Sequence, residues 1–414
     1  MNLHLDIAFS HLRSRRRQTI VSLLGVVLGV AFFLAVSALM RGSERDLIAR
    51  LVDTAPHITV YDEYREARPQ PARLMWPEGA VAIRGVKPKA ERRGIRQYRQ
   101  KLEVIDAIRG TQAAPVLVSQ AIFSFAGRDE AVTLSGIEPA RMKNVSQIDE
   151  DIVAGSLDAV DVNPSGIIIG RALARKLSLE MGDTVSVVSP AGNVRAMKIV
   201  GLFETGNASY DEGQTFAQLT RVQALMNRPN VANLIVIRMA DAYAARTAAA
   251  FIERAIGYKS VSWQEASKDL LDALVIRNII MYTVVGAILL VACFGIYNVI
   301  STVVLEKTRD IAIMKSMGFH ARDIRLIFVI EGAVIGIGGS LLGMAMGSGM
   351  MRAIEQVEIK PPGSTEAINL PIYWGVDQFA LAAAFAILSA VIAAWLPARK
   401  GGRVHPVDIL RGAA

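Results

Sequence analysis

Apolar and polar positions separate into long blocks along this chain. Gln18 to Met40 is 23 residues without a charge, preceded by Arg13, Arg15, Arg16 and Arg17. As a helix this block rises about 34 Å, enough to cross a hydrocarbon core of about 30 Å. A cleaved signal peptide also follows basic residues, but its apolar core is usually about 7 to 15 residues long, so the block reads as an uncleaved anchor. Ile279 to Leu305, Leu326 to Met351 and Val376 to Leu396 have the same character. Arg41 to Asn278, between the first two blocks, carries most of the charge and predicts a large soluble domain.

Within that domain the period changes. Alternating or β-branched runs predict strands at His57–Tyr61, Val116–Phe125, Ala131–Ile137, Thr184–Ser189, Ala196–Phe203, Asn233–Arg238 and Ser260–Trp263. Helical spacing predicts helices at Leu102–Arg109, Arg171–Leu177, Arg221–Met226 and Ala242–Ile256. At its two ends, Leu47, Ile48, Leu51 and Val52, and then Leu270, Leu271, Leu274 and Val275, recur at helical spacing and predict stems that continue spans one and two. The Arg- and Pro-rich stretch Tyr64–Arg99 has weak periodicity and reads as a connector or a contact surface for a partner or cargo.

The expected fold class is therefore an α-helical membrane protein with four transmembrane helices plus an α+β extracytoplasmic domain. Orientation follows from charge. Residues 306–325 contain Lys307, Arg309, Lys315, Arg322 and Arg325, and the tail contains Arg399, Lys400, Arg403 and Arg411, whereas 352–375 has only Arg352 and Lys360. Basic residues concentrate on the cytoplasmic side. The expected order is cytoplasmic 1–17, span 18–40, exported domain with stems 41–278, span 279–305, cytoplasmic loop 306–325, span 326–351, exported loop 352–375, span 376–396 and cytoplasmic tail 397–414. Trp374 and Trp395 bracket the last span as interfacial anchors.

Composition narrows the function. Hydrophobic residues make up 52%, and Lys+Arg 46 against Asp+Glu 38 gives a net charge of +8 that much of the time sits at membrane ends, so it implies no nucleic-acid partner. A single cysteine, Cys293, excludes an intramolecular disulfide and lies inside span two, where a thiol is a packing residue. No Gly-Lys dipeptide occurs, hence no P-loop, and the chain is expected not to be an ATPase. Neither His-Glu-x-x-His nor Gly-x-Ser-x-Gly is present, and His4, His11, His57, His320 and His405 are scattered, which argues against a zinc hydrolase, a serine hydrolase or any metal site.

Polar and small residues inside the spans carry the remaining information. Gly332, Gly336, Gly339, Gly343 and Gly347 recur in span three in two sets of spacing four, and Gly25 and Gly29 lie in span one, which predicts close helix packing. Glu331 must be paired, hydrated or protonated, as a structural tie or a coupling group, and Asn298 offers an interhelical hydrogen bond. The segment 306–319, EKTRDIAIMKSMGF, predicts a short amphipathic helix with a charged first turn at Glu306, Lys307, Arg309 and Asp310, with Ile311, Met314 and Lys315 on one side, and a stop at Gly318. Too short to span, it suits docking into a groove on a soluble partner or lying on lipid headgroups.

Gly295–Leu305, then EKTRDIAIMKSMGF, then Ile330–Gly347, then LPARKGGRVHPVDILR at 396–411, together resemble the FtsX-like permease module of type VII ABC transporters. The resemblance implies that Glu306, Lys307, Arg309, Asp310, Ile311, Met314, Lys315, Gly318 and Phe319 form a coupling helix that docks on a separate ABC ATPase dimer, which binds ATP and Mg, this chain holding no cofactor. It also implies a second permease chain, identical or paralogous, and a bacterial inner membrane location with the large domain in the periplasm. Met40–Ile58, Leu134–Met142, Ile167–Pro190, Ser209–Asn227 and Val261–Leu271 are similar to lipoprotein-releasing permeases, which implies a periplasmic core domain of the MacB-like type. The expected cargo is then a lipoprotein or lipid drawn from the outer leaflet, along Leu39, Leu47, Ile48, Leu51 and Val275, residues that could equally serve stem packing. A macrolide-exporter-type efflux permease and an FtsX-like transmitter to a cell-wall hydrolase remain alternatives.

Overall fold

The computed structural model describes residues 3–14, 16–63, 75, 93–360 and 368–404. In chain order the helices used below are α1 (Leu3–Ser14), α2 (Arg16–Thr54), α3 (Tyr98–Asp106), α4 (Arg171–Leu177), α5 (Leu219–Leu225), α6 (Ala245–Ile256), α7 (Lys268–Glu306), α8 (Thr308–Ser316), α9 (Ala321–Glu355) and α10 (Val376–Gly402). Most of Tyr64–Arg99 and the basic tail from His405 lie outside the described residues. The chain forms two compact units, one helical (1–47, 272–359, 368–414) and one mixed (48–271, 360–367).

The mixed unit holds a 10-stranded sheet. Its strands are β1 (Ile58–Tyr61), β2 (Thr111–Phe125), β3 (Arg128–Ile137), β4 (Ile152–Gly155), β5 (Gly166–Gly170), β6 (Thr184–Val188), β7 (Val194–Phe203), β8 (Gln214–Gln218), β9 (Leu234–Met239) and β10 (Lys259–Ser262). They run β10-β1-β9-β2-β3-β8-β5-β7-β4, with β6 bridging β2 and β7. Most pairs are antiparallel, but β3–β8 and β5–β7 are parallel. Successive side chains of a strand point to opposite faces, and both faces here are apolar: Ile167 and Ile169 join one core cluster while Ile168 joins another, and Ile235 and Ile237 part from Val236 in the same way. The larger cluster is closed by Tyr98 and Leu102 of α3, Leu173 of α4, Val222 of α5 and Ile252 of α6.

Each predicted strand and helix of this domain has its counterpart, and three strands of the ten-stranded sheet escape the sequence pattern. β4 and β8 are only 4 and 5 residues long. β5, buried at every position, shows no alternation by which to recognise it. β2 begins at Thr111 instead of Val116, carrying Pro115 opposite Ile235, where proline argues against a strand.

In the helical unit, α2, α7, α9 and α10 are long and apolar enough to cross a membrane. The two sets of span-three glycines serve different neighbours. A Cβ on Gly332 or Gly336 would lie within 3 Å of Ala394 or Ala390 on α10, whereas one on Gly339 or Gly343 would meet Val26 or Val30 on α2 at 2.6–2.7 Å. Four-residue spacing returns to one helical face, and the three-residue step from Gly336 to Gly339 moves the stripe round to the next helix. Gly25 faces open space and makes no such approach. α10 continues through Pro397 to Gly402, past the boundary that proline suggests.

Candidate functional site

At the expected cytoplasmic end, α7 finishes at Glu306 and Lys307 forms the joint, so these two charges precede α8 instead of opening it. Lys307 Nζ donates to Asp310 Oδ2 at 2.7 Å across one turn. Ile311 is fully buried among the spans, and Met314 and Phe319 pack against the same cluster. Lys315 turns inward, its Nζ donating to the carbonyls of Gly402 (3.0 Å) and Val404 (2.6 Å) at the end of α10. Gly318, at φ 103°, takes the left-handed conformation that lets the chain reverse into α9. The outward face of α8 and its following turn is therefore Arg309, Asp310, Ile313, Ser316 and Met317, with Met317 75% exposed. Sequence spacing identified the inward face of this helix, but Ile313 and Met317 stand out only once Ile311 and Met314 are seen packed.

Glu331 has a partner that sequence reading missed. His11 of α1 donates from Nδ1 to Glu331 Oε1 at 2.7 Å, with the carboxylate side chain 3% exposed. Sequence offered no signal for it, because 320 residues separate the two. Asn298 lies on the exposed side of α7, its carbonyl accepting from Thr302 Oγ1.

Higher up the helical unit, α2, α7 and α10 border a partly open apolar cavity of about 300 Å³, lined by Val30, Phe33, Tyr282, Val285, Gly286, Leu381, Ala382 and Phe385. Gly286 faces open space, and Phe385 is half exposed. Polar contacts cluster near the expected exported ends of these helices. Arg41 pairs with Asp377, Arg277 donates to the Met40 carbonyl at 3.1 Å, and Asn278 donates to Glu44 at 2.9 Å. The Arg45 guanidinium lies 3.9 Å over the Tyr373 ring. Here Gly42 is required, since a Cβ would strike the Pro371 carbonyl. Leu39 is half-buried and Val275 exposed.

In the mixed unit, Ile48 and Val52 of the stem, with Leu271, pack on the larger core cluster, and Leu51 is half-buried. His57 fixes the stem's entry into the sheet. Its Nδ1 accepts from the Met239 amide at 3.0 Å, so the ring is neutral with its proton on Nε2, which donates to the Val52 carbonyl at 3.2 Å. The His57 carbonyl accepts from the Trp263 amide, where β10 leads toward α7. Burial pushes the imidazole below its ordinary value of 6.5; the Val52 carbonyl opposes the shift and the Arg238 charge adds to it.

Residues 282–406 match the family described as FtsX-like permease C-terminal, and residues 19–255 match the MacB-like periplasmic core domain. The chain is similar to the lipoprotein-releasing system transmembrane protein LolC of Xylella fastidiosa strain 9a5c, at 26% identity over 99% of this chain and 98% of that protein. LolC of Neisseria meningitidis serogroup B is 23% identical over 99% of both chains. The macrolide export ATP-binding/permease protein MacB of Hyphomonas neptunium is 25% identical over 98% of this chain and 60% of its own length.

Proposed function

The chain belongs to the ABC transporter permeases that join a MacB-like periplasmic core domain to an FtsX-like C-terminal module, and on that premise we propose that it extracts lipid-anchored proteins from the outer leaflet of a bacterial inner membrane. ATP is hydrolysed with Mg on a separate ATPase dimer, which docks on the outward face of α8 around Arg309, Ile313 and Met317. A second permease chain completes the complex. The stems α2 and α7 carry motion from the membrane to the exported domain, and cargo passes along Leu39, Leu47, Leu51 and Val275, while Ile48 serves stem packing.

The observation that carries the cargo class is the cavity between α2, α7 and α10, whose lining is almost wholly apolar. Such a space stays dry and favours hydrocarbon over a polar solute. Each methylene moved from lipid to water costs about 0.8 kcal/mol, so an acylated protein leaves the bilayer only if an apolar surface receives its chains and ATP drives the step. Export of a small molecule or peptide is the second reading, favoured by the similarity to MacB over 98% of this chain and 60% of that protein.

Photo-crosslinking separates the two. A crosslinker at Phe385 in the working complex should capture acylated protein during ATP turnover, and Gly286→Leu, whose Cβ meets nothing within 4 Å and whose side chain occupies part of the cavity, should reduce that capture while the complex still assembles. Capture of helices and bulk phospholipid alone, unchanged by turnover, contradicts the lipoprotein reading.

A further inference from the structure

Glu331 and His11 form a buried, hydrogen-bonded pair joining α9 to α1. Stability alone gives little reason for it, because replacing both partners of a buried hydrogen bond by apolar groups of similar shape can be nearly neutral. What the pair adds is direction. A hydrogen bond fixes one position of α1 along α9, whereas an apolar contact tolerates sliding.

The rest of α1 reinforces that grip. Ala8 is fully buried and Ile7 and Leu12 pack on the same cluster. The His11 ring lies 6.2 Å from Phe328, and His4 Nε2 approaches Asp323 at 3.6 Å with its ring 6.4 Å from Phe319. All these partners belong to the first three turns of α9 or to the turn joining it to α8. At its other end α1 leads into α2, where Thr19 Oγ1 donates back to the Leu12 carbonyl at 3.1 Å. α2 then runs without interruption to Thr54.

We propose that the His11–Glu331 pair is the positioning tie through which movement of α8 passes along α9 and α1 into α2. The inference rests on the permease reading above: α8 is the element an ATPase moves, and α2 is the element that carries motion outward. A displaced α9 must either draw α1 with it or break a buried hydrogen bond, the costlier course.

The test uses the whole complex with its ATPase and three chains: wild type, the double variant His11→Leu/Glu331→Leu, and His11→Asn. The double variant leaves no unpaired polar group, so a purely structural tie predicts wild-type behaviour. The proposal predicts that ATP hydrolysis persists while cargo released per ATP falls roughly 2- to 30-fold, the range of coupling carried by packed networks. An environment-sensitive dye at Ala49→Cys, in a Cys293→Ser background, should lose its ATP-dependent response in parallel. His11→Asn places an amide nitrogen where Nδ1 stood and should restore both. If the double variant fails to assemble, His11→Met, which keeps bulk and removes the donor, is read in the same way. A variant lacking the donor that keeps wild-type release per ATP and the full dye response overturns the proposal. A wild-type complex whose dye responds to ATP but which releases no lipoprotein would instead refute the cargo reading, and the dye would still test the tie.

Discussion

His57 shows how one side chain can hold a stem to a sheet. Its Nδ1 can accept the Met239 N–H only while unprotonated. With its value depressed in the folded chain, the unfolded chain binds more protons around pH 6.5, so the tie's contribution is full above that pH and is lost as pH falls through 6.5 toward the folded value. Acidification from pH 7.5 to 5.5 should therefore lower the thermal midpoint of the full-length protein, and His57→Gln, which does not titrate, should flatten that dependence while costing about 1 kcal/mol at neutral pH. Equal pH dependence in the two proteins would remove His57 from this role. None of this was legible in sequence, where His57 is one of five scattered histidines; its partners come from three segments that only the fold assembles. Glu331 was half legible. Its need for a partner follows from its place in an apolar block, but the identity of that partner depends on α1 folding back along α9.

At the scale of elements, what could be read follows from what repeats. The long helices declare themselves because a membrane requires some twenty apolar residues in succession, and the strands that alternate do so because only one face meets each core. β5 does neither, and its buried Ile167–Ile169 reads as well for a helix as for a strand. The glycine stripe was visible as a packing signal, but which helix each set faces was not. That assignment gives a prediction. Gly343→Leu forces its Cβ within 3 Å of Val30 and should destabilise the α2–α9 contact by about 1–3 kcal/mol, as overpacking does. Gly25→Ala meets nothing within 4 Å and should be neutral or slightly stabilising, since alanine favours a helix interior. Thermal unfolding of the two variants in detergent checks this, and equal midpoints would contradict the assignment of Gly343 to the α2 contact. Helical spacing put Lys315 on the side of Ile311 and Met314, but its acceptors there, the carbonyls of Gly402 and Val404, lie almost ninety residues away and carry no sequence signal.

At the scale of the whole molecule, the proposed function makes this chain a lever. Among the described residues no cluster of His, Cys, Asp or Glu is arranged to hold a metal. The polar groups singled out above tie helices and strands together, and α2, α7 and α10 border a hydrocarbon-lined cavity of about 300 Å³. In the proposed function, ATP spent elsewhere moves this chain and the moved chain lifts acylated protein out of a bilayer. Its most direct test reconstitutes the permease in proteoliposomes with and without its ATPase, presenting the same cargo protein in acylated and unacylated form, and measures protein released to a soluble apolar acceptor. The account predicts ATP-dependent release of the acylated form alone, with neither hydrolysis nor release when the ATPase is left out. Release that ignores acylation, or that proceeds without the ATPase, would contradict it.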